Sequence, residues 1–363
     1  MRGGMAHYLA SLYKILRIRG HHVDIISFKR QYPRMFFPGT TQMDPSVETE
    51  NIPAEPIIDS IGPLSWIRAV RALRKRKPDL IVFIYWMPFF LLSYGAVAFL
   101  NRIFVRSRIL FICHNIIPHE AKLGDSILSH LGLSLPDAFL FHSKAVAGDL
   151  DRFRKGARKR IVPLPIFDVF PMVPEDLIRN GQGSAPGVRR ILFFGHVREY
   201  KGLHVLLDAM KLIPEEERPH LTTAGEFYDP ETEYTDHIGK LGIEDHVEIN
   251  NRYIPNEEVG RFFQATDLVV LPYISATQSG ILQMAYHFNK PVIITDVGGL
   301  PDFVERGGTG YVVPPDDPSA LADAIIRFYA DRDRVDFTDN VRTYKKRFSW
   351  VTVAEAIEEL NGN

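Results

Sequence analysis

A basic turn flanked by glycines is the part of this sequence best suited to chemistry. It follows the apolar run Ile191 to Phe194, begins at Gly195 and ends at Gly202. Three possible cationic donors lie within it: His196, Arg198 and Lys201. Apolar residues at positions 203, 206, 207 and 210 then have helical spacing, so the turn leads from a buried strand into a helix. A strand, a basic turn and a helix N-terminus together suit an anion, most naturally a phosphate.

Further turns of the second half of the chain have the same character. Leu221 to Ala224 predicts a strand that leads into Gly225-Glu226. A buried strand, Leu268 to Tyr273, is followed by polar residues and a helix start: Ser275, Thr277, Gln278, Ser279 and Gly280. The strand Pro291 to Thr295 precedes the tight turn at Gly298-Gly299. Because parallel strands end at a common edge, two helix N-termini and one basic turn are expected to converge there. Neither a P-loop nor a GxGxxG fingerprint is present at the basic turn.

The first half carries a weaker candidate site. The apolar strand Arg108 to Cys113 delivers His114 and Asn115 at its carboxyl end, where open parallel sheets place their ligands. A histidine in this position is often structural, and both interpretations remain open. Another strand, Ala138 to Phe141, leads to His142-Ser143, and a further strand is predicted over Ile161 to Leu164.

The N-terminal segment departs from a doubly wound domain. Gly3-Gly4 is followed at once by a helical pattern from Met5 to Ile15 and by a strand over Val23 to Phe28. A strand normally precedes such a glycine turn, so the first strand of the domain is missing from this sequence. Either the start has been placed too far downstream or the protein lacks the strand. No signal peptide precedes the helix.

Composition limits the class of protein. The chain has 363 residues, of which 45% are hydrophobic, and its single cysteine, Cys113, excludes an intrachain disulfide and favours a reducing compartment. Residues 1–180 carry a charge balance of +10 and the remainder −11. A nucleic acid would suit the basic half, but no recognition motif is present, so we expect no nucleic-acid partner. A membrane surface or an anionic lipid-linked acceptor explains the basic half equally well.

Three segments of the first half bear on a membrane. Residues 31–63 contain six prolines and are predicted to form a loop. Residues 64–76 predict an amphipathic helix whose basic side is either a solvated face or a membrane contact. Leu80 to Leu100 is uncharged and long enough to span a bilayer, but Pro88 interrupts it. We therefore interpret that stretch as a strand and an unusually apolar crossover helix of a βαβ unit, which leaves peripheral attachment open.

The pattern resembles the family-4 retaining glycosyltransferases, which have the GT-B fold. The resemblance rests on FFGHVREYKGLHVLLDA, on Ala224-Gly225-Glu226, and on the segment from LPYISATQSGILQMAYHF to the following strand and glycine turn. It is dense over residues 190–350 and weaker before them. It implies an α/β protein with two Rossmann-like, doubly wound domains facing each other across a cleft. The expected domains are residues 1–170 with a returning helix at 349–363, a linker at 171–188, and a nucleotide-sugar domain at 189–348.

The resemblance also implies roles for individual residues. Lys201 matches the lysine that neutralises the donor diphosphate, and Arg198 replaces an arginine usually found at the position of His196. Gly3-Gly4 corresponds to a glycine loop near the phosphates, and His114 matches a histidine that contacts the transferred sugar. The remaining donor-binding candidates are Gly195, Glu226, Gln278, Ser279, Gly280, Gln283, Gly298 and Gly299. Fixed cations and N–H groups would stabilise the leaving nucleoside diphosphate, and the family generally works without a metal or another cofactor.

One departure from the family concerns two glutamates on the helix that begins at Gly280. The second falls at Met284 and the first near Ala276 to Gln278, and none of these residues is a carboxylate. The second glutamate normally holds the ribose hydroxyls, so Gln283 is a candidate substitute. This departure leaves the identity of the nucleotide and even activity open.

The function expected from these observations is transfer of a sugar, hexosyltransferase-like and with retention, from a nucleotide sugar to a glycan, lipid-linked or small acceptor. The expected role is polysaccharide biosynthesis in the cytoplasm. Peripheral contact with the inner face of the membrane is left open. A degenerate GT-B protein that binds a nucleotide sugar or glycan without catalysis is the alternative. An epimerase or hydrolase would need a general base that the sequence does not indicate.

Overall fold

The computed structural model describes residues 4–32, 52–117, 124–174 and 188–362. These residues form two compact units. The N-terminal unit comprises residues 9–32, 52–117, 124–165 and 349–362, and the C-terminal unit comprises residues 4–8, 166–174 and 188–348. Gly3 and most of the predicted linker lie outside the described residues, whereas Gly4 begins the first helix.

The N-terminal unit is built on parallel strands. Their bounds are β1 Ile25–Arg30, β2 Ala54–Asp59, β3 Leu80–Tyr85, β4 Arg108–Cys113, β5 Ala138–Phe141 and β6 Lys159–Ile161. β1 pairs with β2, and the other four form a sheet in the order β3-β4-β5-β6. Its helices are α1 Gly4–Ile18, which the two units share, α2 Pro63–Arg76, α3 Leu91–Phe104, α4 Asp125–Gly132, α5 Lys144–Leu150 and, at the C-terminus, α12 Trp350–Asn361.

Continuous apolar runs put the middle of this sheet in the core. Every side chain of β5 and all but the first of β4 are buried, as expected for parallel strands covered on both faces. The uncharged stretch from Leu80 divides into β3, a short helical turn at Pro88–Phe90, and α3, as the sequence predicts. No helix within the described residues is long and apolar enough to cross a membrane.

Two secondary-structure predictions are wrong in this unit. Residues 31–63 are not all loop, because β2 lies among them and pairs in parallel with β1. Pro56 is accommodated because β2 has a partner on one side only and the register shifts after Ser27. The strand predicted over Ile161 to Leu164 occurs earlier, as β6, which is short and pairs only with β5.

The C-terminal helix α12 is fixed within the N-terminal unit by charged contacts. Arg19 forms a bidentate bond to Glu358, with nitrogen–oxygen distances of 2.8 and 2.7 Å, and His21 lies 2.8 Å from the same carboxylate. These hydrogen bonds lower the pKa of Glu358 to about 2, with that from Arg19 contributing most. α12 is thus part of the N-terminal unit.

The C-terminal unit contains one six-stranded parallel sheet. Its strands are β7 Arg190–Phe194, β8 His220–Ala224, β9 Val247–Asn250, β10 Leu268–Leu271, β11 Val292–Thr295 and β12 Gly310–Val313, in the order β12-β11-β10-β7-β8-β9. Its helices are α6 Leu203–Leu212, α7 Glu231–Leu241, α8 Asn256–Gln264, α9 Gly280–His287, α10 Pro318–Asp331 and α11 Phe337–Tyr344. A short helical turn, Leu300–Phe303, follows Gly299.

The buried face of α6 explains why the basic turn has a fixed position. Leu203, Leu206, Leu207 and Met210 are at most 1% exposed and pack in the same core as β7 and β10. The helical spacing in the sequence therefore corresponds to a helix seated on the sheet. Its first turn follows Gly202, which has a left-handed φ of 68°.

Candidate functional site

The predicted donor turns lie on one edge of the C-terminal sheet. β11, β10, β7 and β8 are neighbours in the sheet, and all its strand pairs are parallel. Their carboxyl ends therefore bring together the turns that begin at Thr295, Leu271, Phe194 and Ala224. The convergence predicted from the sequence is confirmed for this part of the chain.

Two glycines allow the turns after β7 and β8 to touch. Gly225 has a φ of 146°, and a Cβ built on it would lie 2.2 Å from the carbonyl oxygen of Gly195. Real Cβ atoms do not approach an oxygen this closely, so only glycine fits at position 225 without moving the backbone. Gly195 N–H donates to the carbonyl of Ala224 at 2.9 Å, which holds the two turns in contact.

A second pair of contacts ties the basic turn to the end of β10. A Cβ on Gly202 would lie 2.0 Å from the carbonyl oxygen of Pro272. The N–H of Ile274 donates to the carbonyl of Tyr200 at 2.8 Å. The turn that carries Lys201 is therefore held from both neighbouring strands.

Lys201 is the cation at the centre of this edge. A Cβ built on Gly195 would lie 3.3 Å from its Nζ, and Nζ lies 5.6 Å from the centroid of the Tyr273 ring. Among the residues that the structure describes, no carboxylate pairs with this ammonium group. Burial, aided by the positive charge of Arg198, lowers the pKa of Lys201 to about 8. A lysine held this way is poised to gain an anionic partner.

His196, Arg198, Glu226 and Tyr228 form one cluster beside Lys201. A β-bridge between Val197 and Phe227 aligns the turns after β7 and β8, and the four side chains flank it. The rings of His196 and Tyr228 stack with centroids 4.7 Å apart, and the Arg198 guanidinium lies 4.8 Å from the Tyr228 centroid. Nδ1 of His196 is 3.8 Å from a carboxylate oxygen of Glu226. The Tyr228 ring therefore contacts both the His196 ring and the Arg198 guanidinium, and these contacts favour a fixed geometry for the two side chains.

The start of α9 supplies the next side of the site. Ser279 is its N-cap and accepts a 3.4 Å hydrogen bond from the Leu282 N–H, while its Oγ lies 3.3 Å from the Tyr273 hydroxyl. Ser279 and Lys201 thus meet at one aromatic ring. Gln278 precedes the cap, and its buried Nε2 has no hydrogen-bond partner among the described residues.

The glycine pair after β11 packs directly onto this helix start. A Cβ on Gly298, whose φ is 52°, would lie 1.9 Å from the carbonyl oxygen of Ala276. The N–H of Gly299 donates to the carbonyl of Thr277 at 3.1 Å. The two turns therefore form one continuous backbone surface.

Two sets of contacts fix the rotation of α9. Ile281 packs against Gly195. Gly280 lies against the Phe167 ring and His287 bonds to the Phe170 carbonyl at 2.9 Å, so their side faces residues 167–170. Gln283, three residues after Gly280, and Met284, three residues before His287, both lie within one turn of these contacts.

Gln283 is 1% exposed, and its Oε1 lacks a partner among the described residues. Met284, at the position that matches the second glutamate of the family, is also buried, with 7% of its surface exposed.

The histidine site of the N-terminal unit is buried and neutral. His114 follows β4 and His142 follows β5, with ring centroids 5.4 Å apart. Burial lowers the pKa of His142 to about 4, and its Nδ1 donates to the Val162 carbonyl at 3.0 Å. Burial, with the adjacent His142, lowers the pKa of His114 well below its usual value. Both imidazoles are therefore neutral at pH 7, so His114 can serve as a hydrogen-bonding group rather than a cation.

Sequence reasoning missed Tyr273 and Tyr228. Each is an aromatic residue just beyond a strand end, and this placement was the available signal. Their importance depends on contacts across two different turns, which the linear sequence does not reveal. Within the described residues, no group of three or more His, Cys, Asp or Glu side chains is arranged to hold a metal ion.

Two family models cover most of the chain. A glycosyl transferase 4-like domain matches residues 3–166, and the model described as glycosyl transferases group 1 matches residues 188–331. The chain belongs to the group 1 glycosyltransferases. It is 26% identical over 237 residues to a D-inositol 3-phosphate glycosyltransferase of Corynebacterium urealyticum, a match that covers 62% of this chain and 56% of that protein. The match therefore spans little more than half the length of that relative.

Solved structures show the same fold as this group 1 chain. Sucrose-phosphate synthase from Thermosynechococcus elongatus has a TM-score of 0.75 at 21% identity, over 99% of this chain and 92% of that one. HepE of Anabaena, in complex with UDP and glucose, has a TM-score of 0.73 at 19% identity, over 99% and 96%. The predicted GT-B fold is thus confirmed.

Proposed function

We propose that this chain is a retaining glycosyltransferase that moves a sugar from a nucleoside diphosphate donor to an acceptor hydroxyl group. The observation that carries the proposal is Lys201, a partly buried cation beside Arg198 with no carboxylate partner among the described residues. Keeping a cation in such a place costs free energy unless an anion joins it. A diphosphate supplies that anion.

In this proposal the bond between the sugar anomeric carbon and the diphosphate oxygen breaks as the acceptor oxygen bonds to the same carbon. The leaving diphosphate gains negative charge, which Lys201 and Arg198 stabilise more strongly than in the ground state. The acceptor approaches from the face of the leaving group and passes its proton to a diphosphate oxygen. No protein nucleophile is then required, and the configuration of the anomeric carbon is retained.

Two cationic side chains and the backbone N–H groups of the converging turns supply the charge stabilisation that a divalent cation provides in other transferases. We therefore propose that transfer does not need a metal. The expected result is unchanged initial rate after treatment with EDTA. A rate that falls and recovers on addition of Mg²⁺ or Mn²⁺ would contradict it.

We further propose that the donor is a uridine diphosphate sugar, because HepE, with the same fold, is solved in complex with UDP and with UDP-glucose. Without a carboxylate at Met284, the ribose is held by uncharged groups. His114 is proposed to hydrogen-bond the transferred sugar. The acceptor is a glycan, a lipid-linked sugar or a small molecule.

The test is calorimetric titration with UDP, GDP, ADP and CMP, using the wild-type protein and Lys201→Met. One nucleoside diphosphate should bind the wild type and fail to bind the variant. Incubation with its sugar conjugate and NMR of the product should then give the anomeric configuration of the donor. Binding of a nucleoside diphosphate sugar without release of nucleoside diphosphate in the presence of acceptors would favour the non-catalytic alternative.

A further inference from the structure

A groove of about 640 Å³ opens in the N-terminal unit, where the strands β3 and β4 begin. This edge is opposite to the one where His114 lies. Its charged lining residues are Arg74, Lys77, Arg106, Arg108 and Asp79, so four cations face one carboxylate. Arg108 is engaged with the backbone carbonyls of Asn361 and Gly362. Arg74, Lys77 and Arg106 form no ion pair with any described residue.

The backbone at two of these cations is unusual. Lys77 ends α2 with a φ of 51°, and Arg106 follows α3 with a φ of 69°. Both are left-handed conformations, which glycine commonly supplies at the end of a helix and which side chains disfavour. Only four residues other than glycine have such a φ in the described chain, and two of them line this groove. Two of the groove cations therefore stand on backbone conformations that glycine would adopt with less strain.

The groove adjoins an exposed apolar surface. Phe99, Ile103 and Phe104 on α3 are 56%, 50% and 53% exposed. On the neighbouring helix α2, Leu64 and Ile67 are exposed. Isolated apolar residues on a surface are ordinary, but a cluster beside unpaired cations marks an interaction site.

The remaining charges on the outer faces of both helices have one sign. Neither α2 nor α3 contains an acidic residue. Arg76 pairs with Asp24 and Glu55, and Arg102 pairs with Asp137. Within the described chain, the cations left without a carboxylate on α2 and at its end are Arg68, Arg71, Arg74, Lys75 and Lys77.

We propose that α2, α3 and this groove dock on an anionic lipid bilayer, with a lipid phosphate in the groove and the α3 side chains among the acyl chains. The apolar cluster favours a bilayer over a nucleic acid, which would offer it no apolar partner. Basic residues combined with exposed Phe and Ile are the requirements of an interfacial helix surface. The proposal does not depend on sugar transfer.

The test is co-sedimentation with phosphatidylcholine vesicles, with and without phosphatidylglycerol. The wild type should bind only the anionic vesicles, and binding should weaken as salt is raised. The double variant Lys77→Gly, Arg106→Gly should bind anionic vesicles roughly 30-fold more weakly. This factor is the combined contribution of two basic side chains to affinity for an anionic membrane surface. Because glycine readily adopts the left-handed conformation at both positions, the melting temperature of the double glycine variant should equal or exceed that of the wild type.

Two matched variants complete the test. Lys211→Gln, Lys240→Gln removes the same charge from exposed positions of the C-terminal unit and should bind like the wild type. Phe99→Ser, Phe104→Ser should lose binding while remaining folded. Lys201→Met should bind vesicles normally, so this proposal and the proposed transfer can fail separately.

Three results would overturn the proposal. One is equal binding by the double glycine variant and the wild type. Another is equal binding to neutral and anionic vesicles, or none to either. The third is thermal stabilisation by inorganic phosphate that requires Lys77 and Arg106 without vesicle binding, which would assign the groove to a soluble anion.

Discussion

Lys201 Nζ lies 5.6 Å from the centroid of the Tyr273 ring, and the hydroxyl group of Tyr273 lies 3.3 Å from Oγ of Ser279. One aromatic side chain thus joins the basic turn after β7 to the N-cap of α9. Burial and Arg198 lower the pKa of the lysine to about 8. This arrangement leads to the first prediction, which concerns pH.

Nucleoside diphosphate affinity should decrease as pH rises above about 8, because the free protein then loses the ammonium proton of Lys201 that the diphosphate requires. Lys201→Arg should flatten this pH dependence, since guanidinium stays protonated. Calorimetric titration between about pH 6.5 and about pH 9.5 measures this dependence, because that range brackets the lowered pKa of Lys201. Equal pH profiles for both proteins would show that another group controls affinity.

Stability of the ligand-free protein should change in the opposite sense. The lysine pKa is lower in the folded protein than in the unfolded chain, so the unfolded chain holds more protons above pH 8, and stability rises with pH from there to the ordinary lysine pKa. Lys201→Met should remove this rise and increase the melting temperature at pH 7. Lys211→Met, at an exposed position, is the control and should leave both unchanged.

Gly298→Ala should separate the turn after β11 from the start of α9. Its Cβ would lie 1.9 Å from the Ala276 carbonyl oxygen, whereas a Cβ on Gly242, with a similar φ of 62°, meets nothing within 4 Å. Gly242→Ala should therefore lower the free energy of unfolding by only about 1 kcal/mol. Gly298→Ala should lower it by about 3 kcal/mol or more and should also abolish donor binding. Denaturant unfolding and UDP titration of both variants provide the comparison. Equal losses would mean that the close approach is unimportant.

Tyr228→Leu should weaken nucleotide binding about tenfold, because His196 and Arg198 lose the ring that orients them. Tyr228→Phe keeps the ring and should behave like the wild type. Titration of both variants, with their melting temperatures, separates orientation from folding. A large loss in Tyr228→Phe would show that the hydroxyl group matters instead.

Acid should destabilise the N-terminal unit through its buried histidines. The pKa of His142 falls from its ordinary value to about 4 in the folded protein, so the unfolded chain binds the proton first and stability falls as pH drops from about 6.5 to about 4. The loss amounts to roughly 3 kcal/mol. His142→Asn keeps a donor for the Val162 carbonyl but does not titrate, so its stability should depend less on pH.

Denaturant unfolding at several pH values measures this dependence. His22→Asn is the control, because the His22 side chain is 82% exposed. It should show the wild-type pH dependence. A His142→Asn protein with the full wild-type slope would contradict the assignment.

The sequence alone determined most of the strands, their alternation with helices and the sheet edge that carries the candidate site. Apolar runs such as Arg108 to Cys113, and the helical spacing after Gly202, specify strands and helices through local burial patterns. The glycines at 195, 202, 225 and 298 marked the turns, since few other residues permit their conformations. The short strand β2 was not predicted, because Pro56 within it indicates a loop and because its pairing with β1 is non-local.

Only the tertiary structure decided which side chains meet across these turns. Tyr273 reaches both Lys201 and Ser279, and Tyr228 orients His196 and Arg198, through contacts between segments far apart in the chain. The face of α9 that turns toward Gly195 was also beyond the sequence, because packing against Phe167 and Phe170 fixes the rotation of that helix. Local patterns determine which elements form, whereas the burial and charge of each site residue arise only when separate elements pack together.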